Sequence, residues 1–228
     1  MSKQRRALIT GASAGFGRAV ALALAEQGWQ LIITARGAAE LEKVAAATGA
    51  RAVAGDIADP GHREQLAAAL GSDPLDLVLN NASALGPSPL PTLDRIELTE
   101  LSAILETNVV APLAVLQLTL PLLRAADGVA VNISSDAAVG AYPGWGGYGS
   151  SKAALDQLTA VLGAEQPELR IYSFDPGDMR TAMHQAAFPG EDISDRPEPE
   201  TVVPALLHLL DIRPASGRYV ASELPVSS

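Results

Sequence analysis

The chain has 228 residues, 48% hydrophobic and 18% charged, and its 26 acidic side chains outweigh 16 basic ones for a net charge of −10. This is the balance of a folded globular protein, and it argues against the basic face that nucleic acid or an anionic membrane requires, so neither is expected as a partner. The absence of cysteine rules out a disulfide scaffold, a thiolate metal site and a cysteine nucleophile, and the scattered His62, His184 and His208 lack ligand spacing, so no metal is expected.

In chain order, the polar residues 1–6 run straight into a short apolar segment with no visible leader, which predicts a cytoplasmic protein. Strands are expected at 7–10, 31–34, 52–54, 76–80, 129–133, 170–174 and 218–220. Helices are expected near 17–27, 38–47, 61–70, 98–125, 148–163 and 201–211. Apolar runs without strict alternation, separated by helix-length segments, read as parallel strands covered on both faces. Right-handed crossovers then give an α/β fold: a single-domain, doubly wound, Rossmann-like parallel sheet of about seven strands spanning 1–228. The apolar stretch 111–123 carries Pro112 and Pro121 and is expected to be too short to cross a bilayer. From Pro176 to Glu200 the periodicity fails, with four prolines and six acidic residues, and 177–200 reads as a substrate lid beyond a strand's carboxyl end.

Directly after the first strand, Thr10-Gly11-Ala12-Ser13-Ala14-Gly15-Phe16-Gly17 leads into a helical run. A strand, a glycine-rich turn and a helix N-terminus make an anion site from backbone N–H groups and the helix dipole. The spacing is G-x-x-x-G-x-G, neither the common dinucleotide fingerprint nor a P-loop. At the end of the second strand Ala35 stands at the position of a ribose-binding acid and Arg36 follows, which predicts a preference for NADP(H), with NAD(H) as the weaker option.

Tyr148 and Lys152 lie four residues apart at the start of a helical run, on one face of it. A free phenol titrates near 10, and an adjacent ammonium is expected to lower that value and ease proton exchange with an alcohol or carbonyl oxygen. With these residues the chain resembles a classical-type short-chain dehydrogenase/reductase. The resemblance rests on Gly11, Gly15 and Gly17, on Asn80-Asn81-Ala82, on Asn108, on Asn132-Ile133-Ser134-Ser135, on Tyr148 and Lys152, and on Pro176-Gly177 with Thr181 beyond.

That resemblance implies a catalytic tetrad of Asn108, Ser135, Tyr148 and Lys152. Ser135 is preferred to Ser134 because it lies thirteen residues before the tyrosine. It implies a pyrophosphate at Gly11, Ser13, Gly15, Phe16 and Gly17, an adenine beside Asp56 and Ile57, and a cofactor path along Asn80, Ala82 and Ser83. Tyr148 and Lys152, with Pro176, Gly177 and Thr181, complete the cofactor site, and Lys152 would hold the nicotinamide ribose. Pro112 has no N–H, so the Asn108 carbonyl lacks its usual i+4 donor; in the family this carbonyl is thought to hold a proton-relay water. Tyr142, Trp145, Met179 and Phe188 are expected to contact substrate, and His184 lies in the lid after Thr181. Phe16 and Ser83 depart from the family pattern, as does the ending, which lacks the family's glycine-rich segment after 216–220. The implied activity is hydride transfer between NADP(H) and a small carbonyl or alcohol, by a homodimer or homotetramer. The competing reading is an NADP(H)-binding sensor or scaffold without turnover; an epimerase or dehydratase of an extended relative fits the glycine spacing poorly.

Overall fold

The computed structural model describes residues 4–224; the polar start before Gln4 and the last four residues lie outside that range. Seven strands form one sheet: β1 (Arg6–Thr10), β2 (Gln30–Ala35), β3 (Arg51–Ala54), β4 (Leu77–Asn80), β5 (Val129–Ile133), β6 (Arg170–Asp175) and β7 (Gly217–Val220). Every pairing is parallel and the order is β3-β2-β1-β4-β5-β6-β7. The order reverses between β1 and β4, and at such a switch point the strand ends open a crevice for ligands.

Successive residues of each strand serve opposite layers, because side chains alternate across a sheet. Ala7 and Ile9 of β1 pack with α1 (Gly15–Glu26), α2 (Ala38–Thr48) and α8 (Pro199–Ile212), whereas Leu8 faces the other way with Val78 and Ala130. That second layer is closed by α3 (Pro60–Leu70) and α5 (Ala111–Ala126), with α6 (Gly146–Glu165) beside them. Both faces of the central strands are therefore apolar, which is why their sequence shows no polar alternation.

The apolar stretch expected to be too short to cross a bilayer is part of a longer helix, the one expected near 98–125. α4 (Leu98–Leu105), a π turn (Glu106–Val110) and α5 form one helix of 29 residues from Leu98 to Ala126. In the π turn Ala111 N–H reaches back five residues to the Glu106 carbonyl, and Pro112 follows in the first turn of α5, where proline is tolerated. The donor missing at Pro121 corresponds to the carbonyl of Gln117, an exposed residue where water can take its place. By length and composition alone this helix is long and apolar enough to cross a bilayer, although Ala111, Val115, Leu116 and Leu123 are buried against the sheet. The 177–200 stretch is also more regular than its sequence suggests. It holds α7 (Ala182–Ala187), whose first turn is capped by Thr181 Oγ1 accepting from His184 N–H at 3.1 Å.

A buried polar chain links the sheet to α6. Asn80 Nδ2 donates to Asn132 Oδ1 at 2.9 Å and to the Pro112 carbonyl at 3.2 Å, while Asn132 Nδ2 donates to Thr159 Oγ1 at 2.8 Å. Thr159→Val would leave the Asn132 amide without that acceptor in a dry interior, at ~1–3 kcal/mol. The expected outcome is a lower midpoint in denaturant with an unchanged slope, measured by urea unfolding; an unchanged midpoint would refute the role of this contact.

Candidate active site

Four strand ends converge above the switch point, and their attachment to one another begins at Thr10. Its hydroxyl accepts from the N–H groups of Asn81 and Ala82, both at 3.0 Å, and so fastens the end of β1 to the loop after β4. Asn81 Nδ2 returns the contact, donating to the carbonyls of Thr10 and Gly11 at 3.0 and 3.1 Å. Gly11 adopts φ +66°, and a Cβ there would stand 2.8 Å from the Ala82 Cα, so the turn closes only with glycine. A Cβ on Gly17 would stand 2.4 Å from Asn81 Nδ2 and 2.5 Å from the Gly11 carbonyl oxygen. Gly17 thus serves the packing of the turn itself and does not line the cleft.

The cleft measures about 470 Å3. At one end are Gly11, Ser13, Gly15 and Phe16 with the N-terminus of α1, then Arg36, Asp56 and Ile57; Ala82 and Ser83 follow, and Ser135, Tyr148 and Lys152 stand at the other end. Pro176, Gly177, Met179 and Thr181 form the wall beyond β6. Phe16 is stacked on Phe174 at 6.1 Å, so the departure from an aliphatic residue is absorbed by the core of β6. Arg36 is exposed and has no ion-pair partner among the described residues. The glycine turn at a helix N-terminus, a free guanidinium at the end of β2 and the length of the groove all suit a dinucleotide.

At the reacting end, Tyr148 and Lys152 share one face of α6 and are both buried. Lys152 Nζ donates to the Ile133 carbonyl, the last of β5, at 2.7 Å, and lies 5.4 Å from the centre of the Tyr148 ring. The Ser83 and Ser135 hydroxyls face the phenol and favour its ionised form, but burial prevails and pushes Tyr148 up to about 12. Burial likewise brings Lys152 down to about 8, against the pull of Asp156 one turn further along the helix. The sequence expectation that the ammonium lowers the phenol is thus corrected: both groups are dehydrated, and dehydration favours the neutral form of each.

Ser135 is half-buried, with Oγ donating to Asp136 Oδ1 at 3.0 Å and accepting from Ala137 N–H at 3.2 Å. Its rival Ser134 is buried with an unpartnered Oγ. Asn108 is fully buried and does not line the cleft. Its Oδ1 accepts from Ser83 Oγ and Ala84 N–H at 3.1 and 2.7 Å, and its Nδ2 donates to the Ala84 carbonyl and Ser151 Oγ at 2.8 and 2.9 Å. The Asn108 side chain therefore ties the π turn to α6 and to the loop after β4, and Ser83, far from crowding that loop, is part of the tie.

Three further expectations need correction. Asn80 lies behind the cleft, where its amide is taken up by Asn132 and Pro112, and Asn81 lines the cleft in its place. Tyr142 is 47% exposed and turned toward Asp136, outside the cleft. Phe188 packs behind Trp145 and against His184, at 5.9 and 4.9 Å between ring centres, so only Trp145 and His184 reach the wall. Two wall residues had no local sequence signal: Asp175 at the end of β6, and Leu85 beyond Asn81. His62 proves buried, bonded through Nε2 to Thr34 Oγ1 at 2.7 Å, with its pKa lowered by that burial.

Lysine burial has a thermodynamic consequence. The gap between about 8 in the fold and about 10.5 in the unfolded chain corresponds to ~3 kcal/mol of destabilisation whenever Lys152 is charged. Lys152→Met removes that cost and loses the bond to Ile133, worth about 1 kcal/mol. The variant is expected to melt at a higher temperature than the parent below pH 8, with the difference fading as pH rises toward 10.5. Calorimetry across pH checks this, and a destabilised variant at pH 7 would contradict it.

The short chain dehydrogenase model matches residues 5–192. Serine 3-dehydrogenase from Agrobacterium fabrum is 37% identical over 181 residues, covering 76% of this chain and 72% of that protein. L-xylulose reductase from Bos taurus is 32% identical over 97% of this chain and 94% of its own length. A short-chain dehydrogenase from Shigella flexneri, solved in complex with NADP, superposes with a TM-score of 0.88 at 32% identity, over 96% of this chain and 97% of that one. The chain belongs to the short-chain dehydrogenase/reductase family of oxidoreductases.

Proposed function

We propose that the protein is an NADP(H)-dependent reductase of small carbonyl compounds, also able to run the reverse alcohol oxidation. The observation that carries this is a single cleft with a phosphate turn and Arg36 at one end and Ser135, Tyr148 and Lys152 at the other. The NADP complex of the similar Shigella flexneri protein supports the choice of cofactor.

The residues that would hold the cofactor are Gly11, Ser13, Gly15 and Phe16 at the pyrophosphate, Arg36 at the 2′-phosphate, and Asp56 and Ile57 at the adenine. Ala82, Ser83, Pro176, Gly177 and Thr181 lie along the path to Lys152. NADPH bound there supplies the hydride. The protein's part is position and proton: Ser135 Oγ donates a hydrogen bond to the substrate oxygen, and the Tyr148 hydroxyl delivers its proton to that oxygen. With its pKa at about 12, Tyr148 is fully protonated at neutral pH and stands ready as an acid, which favours reduction. Lys152 lies beside the phenol, anchored to β5 and able to exchange protons near neutral pH. Asn108 acts by position, holding Ser83 and α6 together. Trp145, Met179 and Met183 supply apolar wall for the substrate, and the 177–200 segment closes that wall as a lid.

The same reading places the protein in the cytoplasm, where the absence of cysteine suits a reducing compartment, with neither membrane nor nucleic acid as partner. A homodimer or homotetramer would cover Leu98 and Val110 on the long helix and Val161 on α6, which are 75%, 46% and 43% exposed.

Tyr148→Phe is expected to abolish oxidation of NADPH by a panel of aldehydes, ketones and diketones while leaving NADPH binding intact. A fully active variant would overturn the mechanism, and tight binding without turnover by the parent would favour a sensor. Arg36→Ala is expected to weaken NADPH at least tenfold more than NADH, the scale of one lost charge-assisted contact; equal losses, measured by fluorescence titration, would refute the role of Arg36. Because Lys152 titrates first on the alkaline side, reductive kcat/KM is expected to hold level through neutrality and fall with an apparent pKa near about 8.

A further inference from the structure

The strand that the sequence reading could connect to no function, β7, carries an arginine that reaches three parts of the reacting centre. Arg218 Nε donates to Asp156 Oδ2 at 3.1 Å, and Nη2 donates to Asp175 Oδ2 at 2.6 Å and to the Ser135 carbonyl at 3.2 Å. Asp156 is one turn beyond Lys152 on α6. Asp175 ends β6, and its other oxygen accepts from Gly177 N–H at 3.0 Å, shaping the turn along the cleft wall. The side chains of Arg218, Asp156 and Asp175 keep only 27%, 15% and 4% of their exposure.

We propose that Arg218 is a positioning residue for catalysis, holding Ser135, the Asp175–Gly177 turn and the Lys152 helix in one electrostatic unit; this rests on the reading of Ser135, Tyr148 and Lys152 as the reacting centre. With Lys152 protonated, two cations and two carboxylates in this unit balance. Without Arg218, the Asp156 carboxylate one turn from Lys152 has no cation of its own, and Lys152 binds its proton more tightly. Asp175 already works against ionisation of Tyr148, as does Asp136 from the loop after β5. The remaining charged and titratable groups on the same cleft end are Asp178 and His184 from the lid. The guanidinium fork has no lysine equivalent, because a single ammonium cannot reach three acceptors in fixed directions.

The chain has three lysines, Lys3, Lys43 and Lys152, so the 13Cε resonances of lysine-labelled protein report Lys152 directly, with Lys152→Met giving the assignment. In the parent protein Lys152 is expected to titrate near about 8. Arg218→Met should raise that midpoint by about one pH unit or more, and Asp156→Asn should lower it, opposite signs that loosened packing does not produce. Arg218→Lys should restore most of the midpoint while kcat for carbonyl reduction stays about tenfold low with a smaller change in KM. A folded Arg218→Met protein with an unmoved Lys152 midpoint overturns the proposal, and so does an unmoved midpoint in Asp156→Asn, which carries the test if Arg218→Met fails to fold. Shifted midpoints in a protein that reduces no carbonyl would remove the reductase reading and leave the electrostatic unit standing; turnover with static midpoints would do the reverse.

Discussion

A lysine with almost no contact with water sits at the point where the sheet, the long helices and the cleft meet, and much of the surrounding structure is arranged to tolerate it. Lys152 needs an acceptor for its ammonium, and the Ile133 carbonyl can serve because β5 ends there: β6 pairs with β5 up to Phe174, and the chain then leaves the sheet. It also needs opposite charge at moderate range, which Asp156 supplies from the same helix. That carboxylate in turn requires Arg218, and Arg218 draws in Asp175. One buried cation therefore propagates into a chain of dependencies that reaches the edge strand.

The same economy governs the cofactor end. Thr10 and Gly17 do not line the cleft as Ser13 and Arg36 do, and the Asn81 amide is spent on the turn itself. They lock the end of β1, the loop after β4 and the first turn of α1 to one another, so that the N–H groups of the glycine turn keep a fixed direction. A rigid turn at the switch point and a rigid lysine at the β5 end define the two ends of the groove before any ligand binds. Preorganisation of this kind is what makes positioning effective in catalysis.

The architecture was legible in the sequence because parallel strands buried on both faces leave unmistakable apolar runs; all seven expected strands agree with the structure to within one residue at either end. The glycine turn and the Tyr148–Lys152 pair were legible for a different reason: their geometry is local, set within one turn and one helix. Interactions between distant segments were not legible. No spacing rule joins Arg218 to Asp156 and Asp175, or turns Asn80 toward Asn132 and away from the cleft. The helix near 98–125 was legible, but its apolar length was underestimated because Pro112 and Pro121 were taken to limit it; a π turn and an exposed carbonyl accommodate them. The direction in which Tyr148 is shifted was misjudged because proximity of a cation was weighed without the dehydration that both groups share.

Charge along the cleft gives the dinucleotide a direction. Among the described lining residues the arginine and lysine side chains are Arg36 and Lys152, and they stand at opposite ends. Arg36 is exposed and has no ion-pair partner among the described residues, so its attraction for a phosphate is not spent on one of them. Lys152 is already bonded to Ile133 with Asp156 one turn away, Asp175 and Asp136 act on the neighbouring Tyr148, and that end of the groove repels a free anion. Phosphate charge would thus be drawn to the glycine turn and Arg36, leaving the reacting end for a group that carries no negative charge. The carboxylates that burden the fold with buried charge would orient such a ligand as well, because an anion at the wrong end would meet acids whose cationic partners, Lys152 and Arg218, are already engaged.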